Sequence, residues 1–140
     1  MARILVAASP APRAVIERIL AGHALSCAET MAQAEQFLRE RTLDLIICTI
    51  AFDESKMFDL LRLAKSTGEW QRIPFVGARV RAQVIRSRAA LEAAALTCRE
   101  LGAAAFLDIA DYQVEPEREM RNAIEGLLYT ASLEGTPAED

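Results

Sequence analysis

Three aspartates stand at or just beyond the ends of apolar runs: Asp53, Asp108 and Asp111. Carboxylates in such places could hold a hard cation through oxygen ligands, or take up a phosphoryl group. The structural reading is preferred, with Asp53 capping a helix and Asp111 in a loop turn. Cys27, Cys48 and Cys98 are the thiols, and His23 is the one histidine. With no CxxC pair and no second histidine, neither a metal site nor a disulfide framework is expected. The cysteines read as buried reduced thiols in apolar surroundings. His23 falls in a turn with no acidic partner evident. There is no GxGxxG, no GxxxxGK[ST] and no GxSxG, so no phosphate-cradling loop or nucleophile elbow is indicated. No nucleophile–base pair can be assembled, and an enzyme is not expected.

These residues must be positioned by alternating strands and helices. Residues 4–8 form a short apolar run that reads as a buried strand, broken by Ser9-Pro10. Val15, Ile16, Ile19 and Leu20 follow at helical spacing, and Gly22 ends that helix. Residues 24–28 read as a second strand. Thr30-Met31-Ala32-Gln33 fits a capping box, ahead of a helix with Ala34, Phe37 and Leu38 on its buried face. Residues 43–49 are almost continuously apolar, as in a parallel-sheet strand buried on both faces. A third helix is expected from about residue 54 to 66, with Phe58, Leu61 and Ala64 inward and Gly68 as its C-terminal cap. Trp70 reads as a lid over the edge of the core. Residues 73–77 form strand four. An alanine-rich helix over about 81–101 ends at Gly102. Residues 104–108 make strand five, and Pro116 opens a fifth helix. Alternation of this kind argues for an open parallel sheet covered on both sides, with right-handed crossovers.

The chain has 140 residues, 52% of them hydrophobic and 26% charged, with a formal net charge of −4. That suits one globular domain, expected over residues 1–130, with a flexible polar tail at 131–140. At this net charge neither nucleic acid nor a membrane is an expected partner, and no apolar run reaches the roughly 18 residues of a membrane span. A cytoplasmic protein is expected.

Four phrases, in order, give the chain a likeness: Arg3-Ile4-Leu5-Val6, Asp44-Leu45-Ile46-Ile47, Ile73-Pro74-Phe75-Val76 and Gly102-Ala103-Ala104-Ala105-Phe106-Leu107. Over about residues 3–129 the chain resembles a receiver domain of a bacterial response regulator. The resemblance implies an α/β, flavodoxin-like (CheY-like) doubly wound five-stranded parallel sheet, order 2-1-3-4-5, with five helices. It also implies a site at the carboxyl ends of the strands. There an acidic pair and a phosphoacceptor aspartate would hold Mg²⁺. A lysine would pair with the phosphoryl group, and a serine or threonine would report it.

This sequence departs from that pattern at each position. The acidic pair aligns with Ala8 and Ser9, the acceptor with Thr49, the Ser/Thr switch with Arg79 and the lysine with Ile109. Phe106 keeps the aromatic switch position, where plain core packing is the preferred role. With metal ligands, nucleophile and charge partner replaced together, no cofactor is expected. The segment from Arg79 to Gly102 is longer than usual for the family and carries Arg79, Arg81, Arg86 and Arg88. It belongs to the face of the fourth helix, fifth strand and fifth helix, through which receivers signal and dimerise. The arginines could bind an acidic partner or a phosphate group, although a solvated helix face is the blander reading. The expected function is that of a stand-alone pseudo-receiver in two-component or phosphorelay signalling. It would act independently of phosphorylation by binding another protein or a second copy of itself. The alternative is a receiver with changed input, through phosphorylation of Thr49 or Ser9 or a small ligand in the emptied pocket.

Overall fold

The computed structural model describes residues 1–81, 87–111 and 116–135. Five strands, β1 (Arg3–Ala7), β2 (Ala24–Ala28), β3 (Leu45–Thr49), β4 (Phe75–Arg79) and β5 (Ala105–Asp108), form one sheet in the order 2-1-3-4-5. All four pairings are parallel, with Ile4 beside Leu25 and Leu45, Thr49 beside Ala78, and Arg79 beside Asp108. This is the doubly wound order that the resemblance implies.

Strand side chains alternate between two cores. Ile4, Val6, Leu45, Ile47 and Val76 face helices α1 (Pro10–Ile19) and α6 (Pro116–Gly135), which contribute Ile16, Met120 and Ile124. Leu5, Ile46, Cys48 and Phe75 face the other way. They meet α2 (Met31–Glu40), α4 (Met57–Ser66) and α5 (Arg88–Glu100) through Leu38, Leu60, Leu61 and Cys98. Burying each large aliphatic side chain contributes about 2 kcal/mol, so near-continuous apolar strands are a direct consequence of two covered faces. Trp70 is buried in the second core from a 3₁₀ turn, Gly68–Arg72, and acts as the expected lid.

Thr30 caps α2 by accepting from the Gln33 amide at 3.2 Å, and Gln33 accepts from the Glu29 amide at 2.8 Å. Gly22 and Gly102 adopt φ of 100° and 104° after the helices they terminate, a conformation that only glycine takes without strain. Gly77 lies under α5. A Cβ there would meet Cys98 Sγ at 2.8 Å and a Phe106 ring carbon at 2.9 Å, so the missing side chain lets α5 approach the sheet.

Several expectations are corrected. The third helix starts at Met57, not near 54, because a four-residue turn, α3 (Phe52–Ser55), precedes it; the described residues hold six helices where five were expected. Asp53, Glu54 and Ser55 in that turn have positive φ (42°, 57° and 66°). Gly68 opens the 3₁₀ turn and does not cap α4, whose C-cap is Thr67 in extended conformation. The alanine-rich helix starts at Arg88, where Ser87 caps it by accepting from the Ala90 amide. Helix α6 runs to Gly135, into the segment expected as tail.

Candidate functional site

The carboxyl ends of β1, β3, β4 and β5 converge through the strand register. β1 delivers Ala8, fully buried, and Ser9, half-buried at the N-cap of α1 with no capping bond from its hydroxyl. β3 ends on Thr49, which is 3% exposed and whose Oγ1 has no hydrogen-bond partner. β4 ends on Arg79. β5 ends on Asp108, followed by buried Ile109 in a 3₁₀ turn.

Arg79 is the main electrostatic feature. Its Nε donates to Asp108 Oδ1 at 2.8 Å and its Nη2 to Asp108 Oδ2 at 2.9 Å. This is the two-pronged pairing that suits a planar guanidinium and a carboxylate. The residue is only 8% exposed. Adjacent positions on parallel strands put the two side chains on one face, and the desolvated surroundings require that each charge be met. Both carboxylate oxygens of Asp108 are therefore engaged by a cation.

Asp53 does not cap its own helix. Its Oδ2 accepts from the Met31 amide at the start of α2, at 2.9 Å, with Lys56 Nζ at 3.7 Å. Ala8, Ser9 and Thr49 contribute no carboxylate. Among the described residues no group of three or more His, Cys, Asp or Glu could hold a metal ion. Among the described residues at the strand ends the donor set does not fit Mg²⁺: the one carboxylate, that of Asp108, is already held by a guanidinium, while a hard cation needs several free oxygens.

Of the expected arginine face, Arg79 turns inward, Arg81 is exposed, and Arg88 is exposed with Glu92 at 3.9 Å on the next turn. Arg86 and residues 112–115 lie outside the described residues, as does the side chain of Asp111. Phe106 is partly buried and packs on the core through Gly77. Strand β5 is the sheet edge, and each of its residues is partly exposed. Beside it, α5 buries only Cys98 fully and leaves Leu96 59% exposed. Among the described residues this edge thus combines partly exposed apolar side chains of β5 with an α5 surface that carries Leu96.

The thiols are free. Cys48 and Cys98 are buried; burial pushes Cys48 well up and Cys98 to about 11. Cys27 is half-buried, not buried as expected, with its value raised by desolvation and by Glu17.

A second cluster lies at the opposite, amino-terminal pole, and sequence reasoning missed it. His23 Nε2 is 2.6 Å from Glu125 Oε1, and its Nδ1 accepts from the Ala2 amide at 3.0 Å. The expectation that His23 lacks an acidic partner is thereby overturned. Its partner lies 102 positions away, beyond the reach of any local pattern. The pair lines a cleft of about 660 Å³ with Leu43, Asp44, Arg72 and Tyr129.

No protein-family model matches the chain, and no curated protein does. Solved structures do. The signal receiver domain of a histidine kinase from Syntrophus aciditrophicus is 19% identical with TM-score 0.75, over 100% of this chain and 98% of that one. A CheY-like receiver domain protein from Methanospirillum hungatei is 19% identical with TM-score 0.74, over 96% and 99%. The receiver domain of sensor kinase PA1611 from Pseudomonas aeruginosa, with magnesium coordinated in its active site cleft, is 16% identical with TM-score 0.70, over 91% and 98%. The likeness is one of fold, and the fold is CheY-like. No helix among the described residues is long and apolar enough to cross a membrane.

Proposed function

We propose that the chain is a receiver-like signalling module that works by protein–protein contact, without phosphorylation. One observation carries this reading. The strand ends that hold metal and phosphoryl group in a working receiver are filled here by Ala8, Thr49, Ile109 and the Arg79–Asp108 pair. Phosphotransfer needs a free carboxylate nucleophile, and charge neutralisation by a metal or lysine; the described residues of this pocket offer neither. Leu96, 59% exposed on α5, the helix packed beside edge strand β5, supports contact with a second copy or another protein by offering an apolar anchor.

The changed-input alternative is less well supported. A kinase must draw a hydroxyl into its own cleft, and Thr49 is buried at the end of a central strand. Sedimentation across a concentration series, with and without Mg²⁺ and beryllofluoride, tests the reading, with Leu96→Asp as the interface variant. Association that ignores beryllofluoride and is lost in Leu96→Asp supports it. A beryllofluoride-dependent change in association state overturns phosphorylation independence. Association untouched by Leu96→Asp overturns the choice of face.

A further inference from the structure

We infer that His23 is a proton-controlled latch at the amino-terminal pole, tying the start of β1 to α6 only while its ring is neutral. A backbone N–H can only donate, so the Ala2 amide bond at 3.0 Å requires a lone pair on Nδ1. The ring proton then sits on Nε2 and donates to Glu125 Oε1 at 2.6 Å. The two ring nitrogens thus join two elements far apart in sequence. The carbonyl of Ala2 in turn accepts from the Ala24 amide at 2.9 Å, the first rung between the β1 and β2 segments.

Protonation leaves the Glu125 contact intact and makes it charge-assisted, but places an N–H on Nδ1 against the Ala2 N–H. Two donors cannot share that position, so the ring stays with Glu125 and releases Ala2. Histidine changes charge between about pH 5 and 8, where other unperturbed side chains do not.

The charged groups around the ring set where the release occurs, not whether it does. From α6 come Glu125 and Arg121, whose Nη1 donates to the Ile19 and Ala21 carbonyls at 2.8 and 3.1 Å. Asp44 lies across the cleft, tied to the Arg3 amide at 2.8 Å and to Arg3 Nε at 3.5 Å. The 3₁₀ turn supplies Glu69 and Arg72, and Met1 with its α-amino group and Tyr129 complete the wall. Carboxylates and cations are mixed there, and a His23→Gln variant keeps all of them, so comparison with it isolates the ring.

The latch is tested by NMR on the full chain and on His23→Gln, whose side-chain amide offers one acceptor and one donor at every pH. Ring-nitrogen shifts near pH 8 report the tautomer. Amide exchange of Ala24, taken as a ratio to the same amide in His23→Gln, reports the rung between about pH 8 and 5. The inference predicts the Nε2–H tautomer and a roughly fivefold loss of relative protection on acidification, the scale of one hydrogen bond. The Nδ1–H tautomer, or a ratio that stays flat while the ring titrates, overturns it.

Discussion

Removing the carboxylate of Asp108 should be among the costliest single changes in this chain. Its side chain is 19% exposed and that of Arg79 10%, so both charges are largely out of water. Charges about 4 Å apart at an effective dielectric of about 20 attract by about 4 kcal/mol, which offsets much of their desolvation. Asp108→Ala takes the bidentate acceptor away from the largely buried Arg79 guanidinium, and a cost of about 3 kcal/mol is expected. Against a total stability of about 5–15 kcal/mol that is a large fraction. Urea unfolding gives the number, as a shift in midpoint at unchanged slope. The double variant Arg79→Met with Asp108→Leu removes both charges. It should recover most of the loss, because an apolar pair of similar volume carries no desolvation cost. A loss below about 1 kcal/mol for Asp108→Ala, the value of an exposed pair, would refute the claim that this pair seals the strand ends. So would a double variant no more stable than the single one.

Three further outcomes follow from the same structure. Thr49→Val removes a buried hydroxyl that has no partner, and thermal or urea unfolding should show a gain of about 1 kcal/mol. Glu54→Gly, at φ 57° in an exposed turn, should raise stability by about 1 kcal/mol because glycine takes that conformation without Cβ strain. Cys98 has its ordinary value of 9.0 raised to about 11 in the fold. The unfolded chain therefore loses its proton first, so stability should fall as pH rises from about 9 to about 11, and Cys98→Ala should flatten that decline.

The strands were legible because burial on both faces leaves an unbroken apolar record, as in Leu45–Thr49. Helix ends were legible where one residue dictates them, as with Thr30, Gly22 and Gly102. The turn at Phe52–Ser55 was not. Its positive φ values have no local sequence signal such as glycine, and the bond it makes is remote: the Asp53 carboxylate accepts from the Met31 amide. The start of α5 was overextended, and Ser87 was the cap that could have placed it. At the strand ends, the sequence revealed which side chains replace those of a receiver. It did not reveal that Arg79 and Asp108 neutralise each other, a fact of β4–β5 register. The His23–Glu125 pair depends on where α6 returns and left no local trace.

The most direct test is intact-mass measurement and ³¹P NMR after incubation with Mg²⁺ and acetyl phosphate. An unmodified mass and no acyl-phosphate signal are expected, since Thr49 offers no carboxylate and those of Asp53 and Asp108 are engaged. A mass gain of one phosphoryl group, mapped to Asp53 or Asp108, would contradict this expectation and make the chain a working receiver with a relocated acceptor.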